Sequence, residues 1–313
     1  VVLHGCTQSA SGYDHSAAWS AAAEEHGFAV LFPQQQRGNN PNLCFNWFSP
    51  EDAGRGRGEA LSIRQMIAAM QARHGTDPAR VFVTGLSAGG AMAAVMLATY
   101  PELFAGGAII AGLPFGVAET IPQAFEVMRG DRRLPSKALA DLVREASDHE
   151  GPWPILSIWQ GDRDTTVDPV NAQAIGDQWR VLHGVGSAPT ASGRVAGSRQ
   201  RVWSNPEGRA VIEEYIVPGM GHGTPLDPSG GFDEKPAPFM LDASISSTRH
   251  ILAFWGIADV AKRAEASPRT QPEPSKSEPG SRANSFGPQA QSGVAASVRA
   301  TIEDALSAAG LLR

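Results

Sequence analysis

The sequence predicts an α/β fold: a mostly parallel, doubly wound sheet with helices on both faces. Three observations predict it. Short apolar strand patterns alternate with helical patterns from Val1 to about Ile257; a strand joins a small-residue helix through Gly85-Leu86-Ser87-Ala88-Gly89; and two later strand patterns run straight into polar turns, one carrying Asp162 and Asp164 and the other His222. Alternation of this kind implies parallel strands linked by helical crossovers.

Taken in order, Val1-Val2-Leu3-His4 reads as a strand. Because the chain opens inside it, two earlier strands and their hairpin are expected to be missing, with the sheet truncated at one edge. A helical pattern at 13–26 precedes a strand at 28–32, and a helix at 59–73 precedes a strand at 80–84 whose β-branched run ends at Thr84. An alanine-rich helix at 88–99 is closed by Pro101. After a strand at 106–110, the region 113–150, with Pro114, Pro122, Pro135 and two helical pieces, interrupts the alternation. It reads either as a cap over the site or as ordinary helix packing. A buried strand at 154–160, a helix at 168–183, a hairpin or loop at 185–210 containing Trp203, a strand at 211–217 and a helix at 244–257 complete a domain spanning residues 1–260. Residues 264–292 are dense in Pro, Ser, Glu, Gln and Gly and read as a disordered linker, because so few apolar groups cannot offset the entropy of ordering. Residues 293–313 return to a helical pattern with Val298, Ile302, Leu306 and Leu311 on one stripe. That short amphipathic helix either docks back on the domain or serves as a tail contacting a partner or polymer.

A G-x-S-x-G turn between strand and helix is the context of a nucleophile elbow. A serine hydroxyl is a weak nucleophile at neutral pH, so it needs a base to take its proton and N–H groups to receive the oxyanion. Ser87 is the predicted nucleophile; Gly85 and Gly89 are read as required because side chains there would collide. The acid and base should follow in that chain order, each just after a strand. His222, set among Gly219, Gly221 and Gly223, is the predicted base. The spacing Gly161-x-x-Asp164-x-x-Val167 selects Asp164 as the acid and leaves Asp162 to order the loop. Asp162, Asp164 and Asp168 also suggest a calcium loop, but Val167 and Gln173 stand where an EF-hand requires Gly and Glu, so no metal is expected. His15, His26, His74 and His149 sit in polar surroundings, and His183 and His250 fall on helices. His4 precedes Gly5-Cys6 in a turn that matches the loop supplying a second oxyanion donor; the donors are assigned to the backbone N–H groups of Cys6 and Ala88, with His4 orienting the turn.

Five blocks now stand in order: His4-Gly5-Cys6-Thr7-Gln8-Ser9-Ala10, Asn42-Leu43-Cys44-Phe45-Asn46-Trp47-Phe48, Gly85 to Met92, Gly161 to Val167, and Gly219 to Gly223. Together they resemble the polyhydroxybutyrate (PHB) depolymerase family of esterases, over about residues 1 to 257. The resemblance implies an α/β-hydrolase fold, a serine-esterase mechanism without cofactor, an extracellular setting, and substrates that are small esters or polyesters of short 3-hydroxyacids. The family also resembles feruloyl and acetylxylan esterases, so plant cell-wall esters form the alternative, and an acyltransferase on the same scaffold is a further one. No separate polymer-binding module is seen.

Composition agrees. Hydrophobic residues at 42% and charged residues at 19% are globular values, and a net charge of −6 without a basic cluster argues against nucleic acid and anionic membranes as partners. No apolar run reaches the length of a membrane span. The two cysteines, Cys6 and Cys44, each lie beside a proposed site element and follow strands expected to be neighbours. They read as a disulfide bracing the oxyanion turn or as two buried thiols. Trp47 and Phe48 read as lining for the substrate pocket or as core; Trp255 reads as core.

Overall fold

Twelve small or apolar residues from Ala88 to Thr99 form a helix buried on every side, and the other elements are arranged around it. The computed structural model describes residues 1–230 and 232–258. The expected linker at 264–292 and helix at 293–313 lie outside the described residues. In chain order the elements are β1 (Val2–Leu3), α1 (Ala10–Ala17), α2 (Trp19–His26), α3 (Pro50–Ala53), α4 (Gly58–His74), β2 (Phe82–Leu86), α5 (Ala88–Thr99) and β3 (Gly106–Ile110). There follow α6 (Ile121–Met128), α7 (Ser136–Glu145), β4 (Ile155–Gly161), α8 (Val170–His183), β5 (Ala191–Val195), β6 (Ser198–Ser204), β7 (Ala210–Val217), β8 (Thr224–Leu226), β9 (Met240–Asp242) and α9 (Ser247–Phe254).

Among the described residues, seven strands form one sheet in the order β1-β2-β3-β4-β7-β6-β5. The first five of these are parallel, and β6 and β5 add an antiparallel edge. Leu86 pairs with Ile110, Ile110 with Trp159, and Trp159 with Tyr215, so β2 and β3 end together while β4 and β7 stay paired as far as Gly161 and Val217 at the same edge. The turns after β2, β4 and β7 therefore emerge at a single carboxyl edge, where ligands meet open α/β sheets. The sheet carries α5 close against it: a Cβ on Gly107 of β3 would lie 2.4 Å from Leu97.

Several expectations need revision. The single helix expected at 13–26 breaks at Ala18, which is left-handed at φ 56°, because Asp14 turns back to accept the Ser20 N–H (2.8 Å) and hydroxyl (2.6 Å) and so caps α2. The strand expected at 28–32 runs beside β1 but gains only the bond from Val2 N–H to Leu31 O (2.9 Å), and Pro33 behind it has no N–H with which to extend a ladder. The region 185–210 resolves into the β5–β6 hairpin, irregular at Trp203/Ser204. The parallel pair β8–β9 was not legible in the sequence. Between 113 and 150, α6 and α7 pack on α8: Gln178 exchanges hydrogen bonds with the Phe115 backbone and donates to Leu139 O, while Asn171 donates to Val127 O. These bonds favour helix packing for this region.

One buried group makes the core sensitive to pH. Glu213 on β7 accepts a 2.7 Å bond from Ser157 Oγ of β4, which in turn accepts Trp159 Nε1 at 2.9 Å. Burial pushes its carboxyl up to about 7. A folded-state value above the unfolded one means the stabilising contribution is complete below about 4.5 and is lost as pH rises through about 7. Glu213→Gln keeps the acceptor for Ser157 and removes the titration. Its melting temperature relative to the parent is expected to rise between pH 5 and pH 8.5, by the equivalent of roughly 2–3 kcal/mol. A difference that does not change with pH would show that Glu213 folds as the carboxylate.

Candidate active site

Ser87 occupies the turn between β2 and α5 with φ 58° and ψ −119°, a conformation that a non-glycine residue adopts only when its surroundings enforce it. Gly85 and Gly89 are what permit it. A Cβ on Gly85 would lie 2.4 Å from the Gly89 backbone, and one on Gly89 would lie 2.3 Å from Leu3 O and 2.5 Å from His4 O. Gly90 is confined as well, since a Cβ there would lie 2.9 Å from Gly85 O and 3.0 Å from Ile110 O. The elbow is thus pressed against both its own strand and the turn that follows β1. Ser87 N–H donates to Ile110 O (2.9 Å), which ties the elbow to the end of β3. Among the described residues, the N–H groups of Ala88 and Cys6 have no hydrogen-bond partner in the protein. That leaves both donors open at the junction of the turn and the first turn of α5, where the helix dipole favours negative charge.

His4 is fully buried and shapes that turn. Its Nδ1–H donates to Gly5 O at 2.8 Å, and its Nε2 accepts the Gln35 N–H at 3.1 Å. With one nitrogen donating and the other accepting, the ring is neutral, and burial pushes its pKa down. Cys6 and Cys44 form a disulfide, and Thr7 N–H donates to Asn42 O (2.7 Å) across the same junction. The bond closes a separation of 38 residues. In the chain-entropy account that stabilises the fold by about 4 kcal/mol. Reducing it, or replacing both cysteines by alanine, is expected to lower the melting temperature by roughly 10 °C and to reduce turnover, because it releases the Cys6 donor. Two alkylatable thiols in fully active protein made in an oxidising host would overturn this.

The two residues expected to serve as acid and base lie in contact. His222 Nδ1 donates to Asp164 Oδ2 at 2.7 Å; the Asp164 side chain is fully buried and that of His222 is 9% exposed. Asp164 Oδ1 accepts the N–H groups of Thr166 and Val167, each at 2.9 Å, while Oδ2 also accepts Gln160 Nε2 at 3.0 Å. Four donors on one buried carboxylate keep it an acceptor and hold it still. Asp162 instead reaches across to accept the Gly219 N–H at 2.7 Å, binding the acid loop to the loop that carries His222. A Cβ on Gly161 would lie 2.2 Å from Met220 O, so the two loops meet without space for a side chain. The 168 carboxylate accepts Val170 N–H at the start of α8. Among the described residues, no group of three or more His, Cys, Asp or Glu side chains is placed to hold a metal ion.

Asp164 and His222 are therefore brought into direct contact, and Ser87 onto the same edge. Among the described residues no hydrogen bond joins Ser87 Oγ to His222 Nε2, and neither atom is engaged elsewhere. Serine–imidazole bonds often tighten only as the reacting complex forms. Trp47 is buried within the core and Phe48 half-buried against it, the two rings meeting edge to face at 5.6 Å. Sequence reasoning missed Phe239, whose ring lies 6.1 Å from His222 and whose carbonyl would meet a Cβ on Gly223 at 2.6 Å. It also missed Gln35 and Glu59, which hold the segment behind the disulfide. No local pattern flags any of the three, since each acts across long sequence distances.

Residues 1–204 match the Esterase PHB depolymerase family. The chain is 46% identical over 260 residues to poly(3-hydroxyalkanoate) depolymerase C of Paucimonas lemoignei, covering 82% of this chain and 63% of that protein. It is 30% identical to an acetylxylan esterase of Coprinopsis cinerea, covering 72% of this chain and 61% of that one. The chain thus spans less than two thirds of the length of these curated relatives. Among solved structures, an acetyl xylan esterase from Aspergillus awamori superposes with a TM-score of 0.68 at 25% identity, covering 82% of this chain and 88% of that one. A superposition of that quality over most of both chains, together with the mostly parallel sheet, identifies the fold as that of an α/β-hydrolase. By sequence match and by architecture, this chain belongs to the esterase PHB depolymerase family.

Proposed function

We propose that the chain is a serine carboxylic ester hydrolase acting on esters of short 3-hydroxyacids. The observation that carries this reading is the Asp164–His222 pair, its carboxylate held by three further donors and set on the edge where the elbow presents Ser87. In the first step His222 Nε2 takes the proton of Ser87 Oγ as the oxygen attacks the ester carbonyl. The carbonyl oxygen becomes an alkoxide held by the N–H groups of Cys6 and Ala88. Collapse breaks the bond to the alcohol, which leaves with the proton from His222 and gives an acyl-serine. Water, deprotonated by the same imidazole, attacks that acyl group and releases the acid, returning the proton to Ser87. Asp164 accepts Nδ1–H throughout, which fixes the tautomer and stabilises the imidazolium.

The similarity to a poly(3-hydroxyalkanoate) depolymerase supports a 3-hydroxyacid acyl group. A 3-hydroxybutyryl unit is short, so this reading calls for a small acyl site. The disulfide supports an oxidising, extracellular setting, and no helix among the described residues is long and apolar enough to cross a membrane. Turnover is expected for acyl chains of about two to four carbons and for soluble 3-hydroxybutyrate oligomers, with a steep decline beyond about six carbons as added methylenes find no apolar surface. Chromogenic esters of graded length, run beside a polymer-film clearing assay, measure this. Efficient cleavage of long-chain triglycerides would refute it. The similarity to acetylxylan esterases supports the second reading; a clear preference for acetylated xylan or feruloyl esters over hydroxybutyrate oligomers would select it.

A further inference from the structure

Glu59 is a buried carboxylate, 8% exposed, that no step of the reaction uses. It is the second residue of α4, where unpaired helix N–H groups favour negative charge. Its Oε1 accepts Gln35 Nε2 at 2.5 Å and Asn46 Nδ2 at 2.9 Å, and its Oε2 accepts the Asn46 backbone N–H at 2.8 Å. Three converging N–H donors suit an ionised carboxylate, which only accepts. Burial opposes that charge and pushes the group up to about 7, so the ionised form rests on these donors.

Both partners belong to the segment that backs the oxyanion turn, and two routes run from Gln35 to Cys6. In the first, the Gln35 backbone N–H donates to His4 Nε2 (3.1 Å), and His4 Nδ1–H donates to Gly5 O (2.8 Å), the residue before Cys6. In the second, Gln35 Nε2 also donates to Cys44 O (3.0 Å), and Cys44 is bonded to Cys6 through sulfur. The Gln35 side-chain oxygen accepts the Gln36 N–H (2.8 Å) and Asn39 Nδ2 (3.1 Å), so this amide has little freedom to turn. Asn46 is steadied in the same way by Asn40 Nδ2 at 2.9 Å. The arrangement ties one helix residue to both supports of a single backbone donor.

Resting on the serine-esterase reading, we propose that Glu59 is a positioning residue for the oxyanion site: it fixes Gln35 and Asn46 so that His4 and Cys44 together hold the Cys6 N–H toward the developing alkoxide. Losing an oxyanion donor outright lowers turnover by about 10²–10³-fold, and displacing one should lower it by less.

The test uses Glu59→Gln in the disulfide-bonded chain. This change preserves shape but turns an amide nitrogen toward the Gln35 and Asn46 donors. With an aryl acetate, kcat should fall about 10- to 100-fold while KM stays within about threefold. With the matching thionoacetate, whose sulfur is a poor acceptor, kcat should fall much less, so the oxo-to-thiono ratio collapses. Gln35→Met, which keeps the backbone bond to His4, serves where Glu59→Gln folds poorly and should shift the same ratio in the same direction. The double variant should lose less than the product of the two single effects, as expected for one chain of contacts. Turnover within twofold of the parent in both single variants, or equal losses for the oxo and thiono esters, would overturn the proposal. Ser87→Ala separates the two readings. An active Ser87→Ala protein defeats the serine-esterase reading itself, whereas an inactive one beside an unimpaired Glu59→Gln defeats only the role of Glu59.

Discussion

Replacing Ser87 by alanine is expected to reduce ester turnover by roughly 10⁵–10⁶-fold, the scale on which a serine hydrolase loses kcat when its nucleophile is removed. The fold should survive. Ser87 Oγ makes no hydrogen bond that folding relies on, whereas its backbone is held from both sides by the bond to Ile110 O and by the crowding at Gly85 and Gly89. Alanine tolerates the positive φ no worse than serine, so the melting temperature should stay within a few degrees of the parent. A serine-directed organophosphate should label Ser87 alone in the parent and nothing in the variant. Labelling at a different serine, or near-parental turnover in Ser87→Ala, would remove Ser87 from the mechanism.

The second large effect lies at Asp164. An asparagine there would face His222 with an amide that can donate, favouring the imidazole tautomer with its proton on Nε2, the nitrogen that must accept from Ser87. A loss in kcat on the order of 10⁴-fold follows, as when a triad acid is amidated elsewhere. Stability should suffer too, because the amide nitrogen that takes the place of Oδ2 would also confront Gln160 Nε2, a donor that Oδ2 accepts in the parent. Asp162→Asn should behave differently. Its carbonyl can still accept the Gly219 N–H, so turnover should fall by less than about tenfold while thermal stability drops modestly. Comparing kcat and melting temperature for the two variants decides between them. If Asp162→Asn proves the more damaging to kcat, the roles exchange.

Much of this site is written locally in the chain. A nucleophile elbow needs glycines two residues either side of a serine, between a strand and a helix, and Gly85-Leu86-Ser87-Ala88-Gly89 carries all of that within a few residues. The acid and base follow strands and sit in turns for the same reason: parallel strands of an α/β sheet end together, so residues just beyond them converge. Local periodicity was likewise enough for α5, α8, β3 and β7, whose apolar patterns are long or unbroken.

Other features depend on partners that the local apolar pattern does not reveal. The helix expected at 13–26 splits because Asp14 caps the second half, and the strand expected at 28–32 fails to form a ladder because so few of its backbone groups find a neighbour. The spacing Gly161-x-x-Asp164-x-x-Val167 already favours Asp164 over Asp162. What spacing does not show is the partner of each: Asp162 takes a backbone N–H 57 residues away and Asp164 an imidazole 58 residues away. Trp47 reads equally as pocket or core until the fold buries it, and Glu59 reads as an ordinary residue of a helix start until Gln35 and Asn46 converge on it. The sequence by itself determined the fold class, the order of the chemical groups and the identity of Ser87 and His222 as candidates, because these depend on short-range sterics and strand-end geometry. Only the tertiary structure decided that the two cysteines are joined, which donors hold each carboxylate, and what stands behind the oxyanion turn, because hydrogen bonds and disulfides are set by proximity in space, to which spacing along the chain is blind.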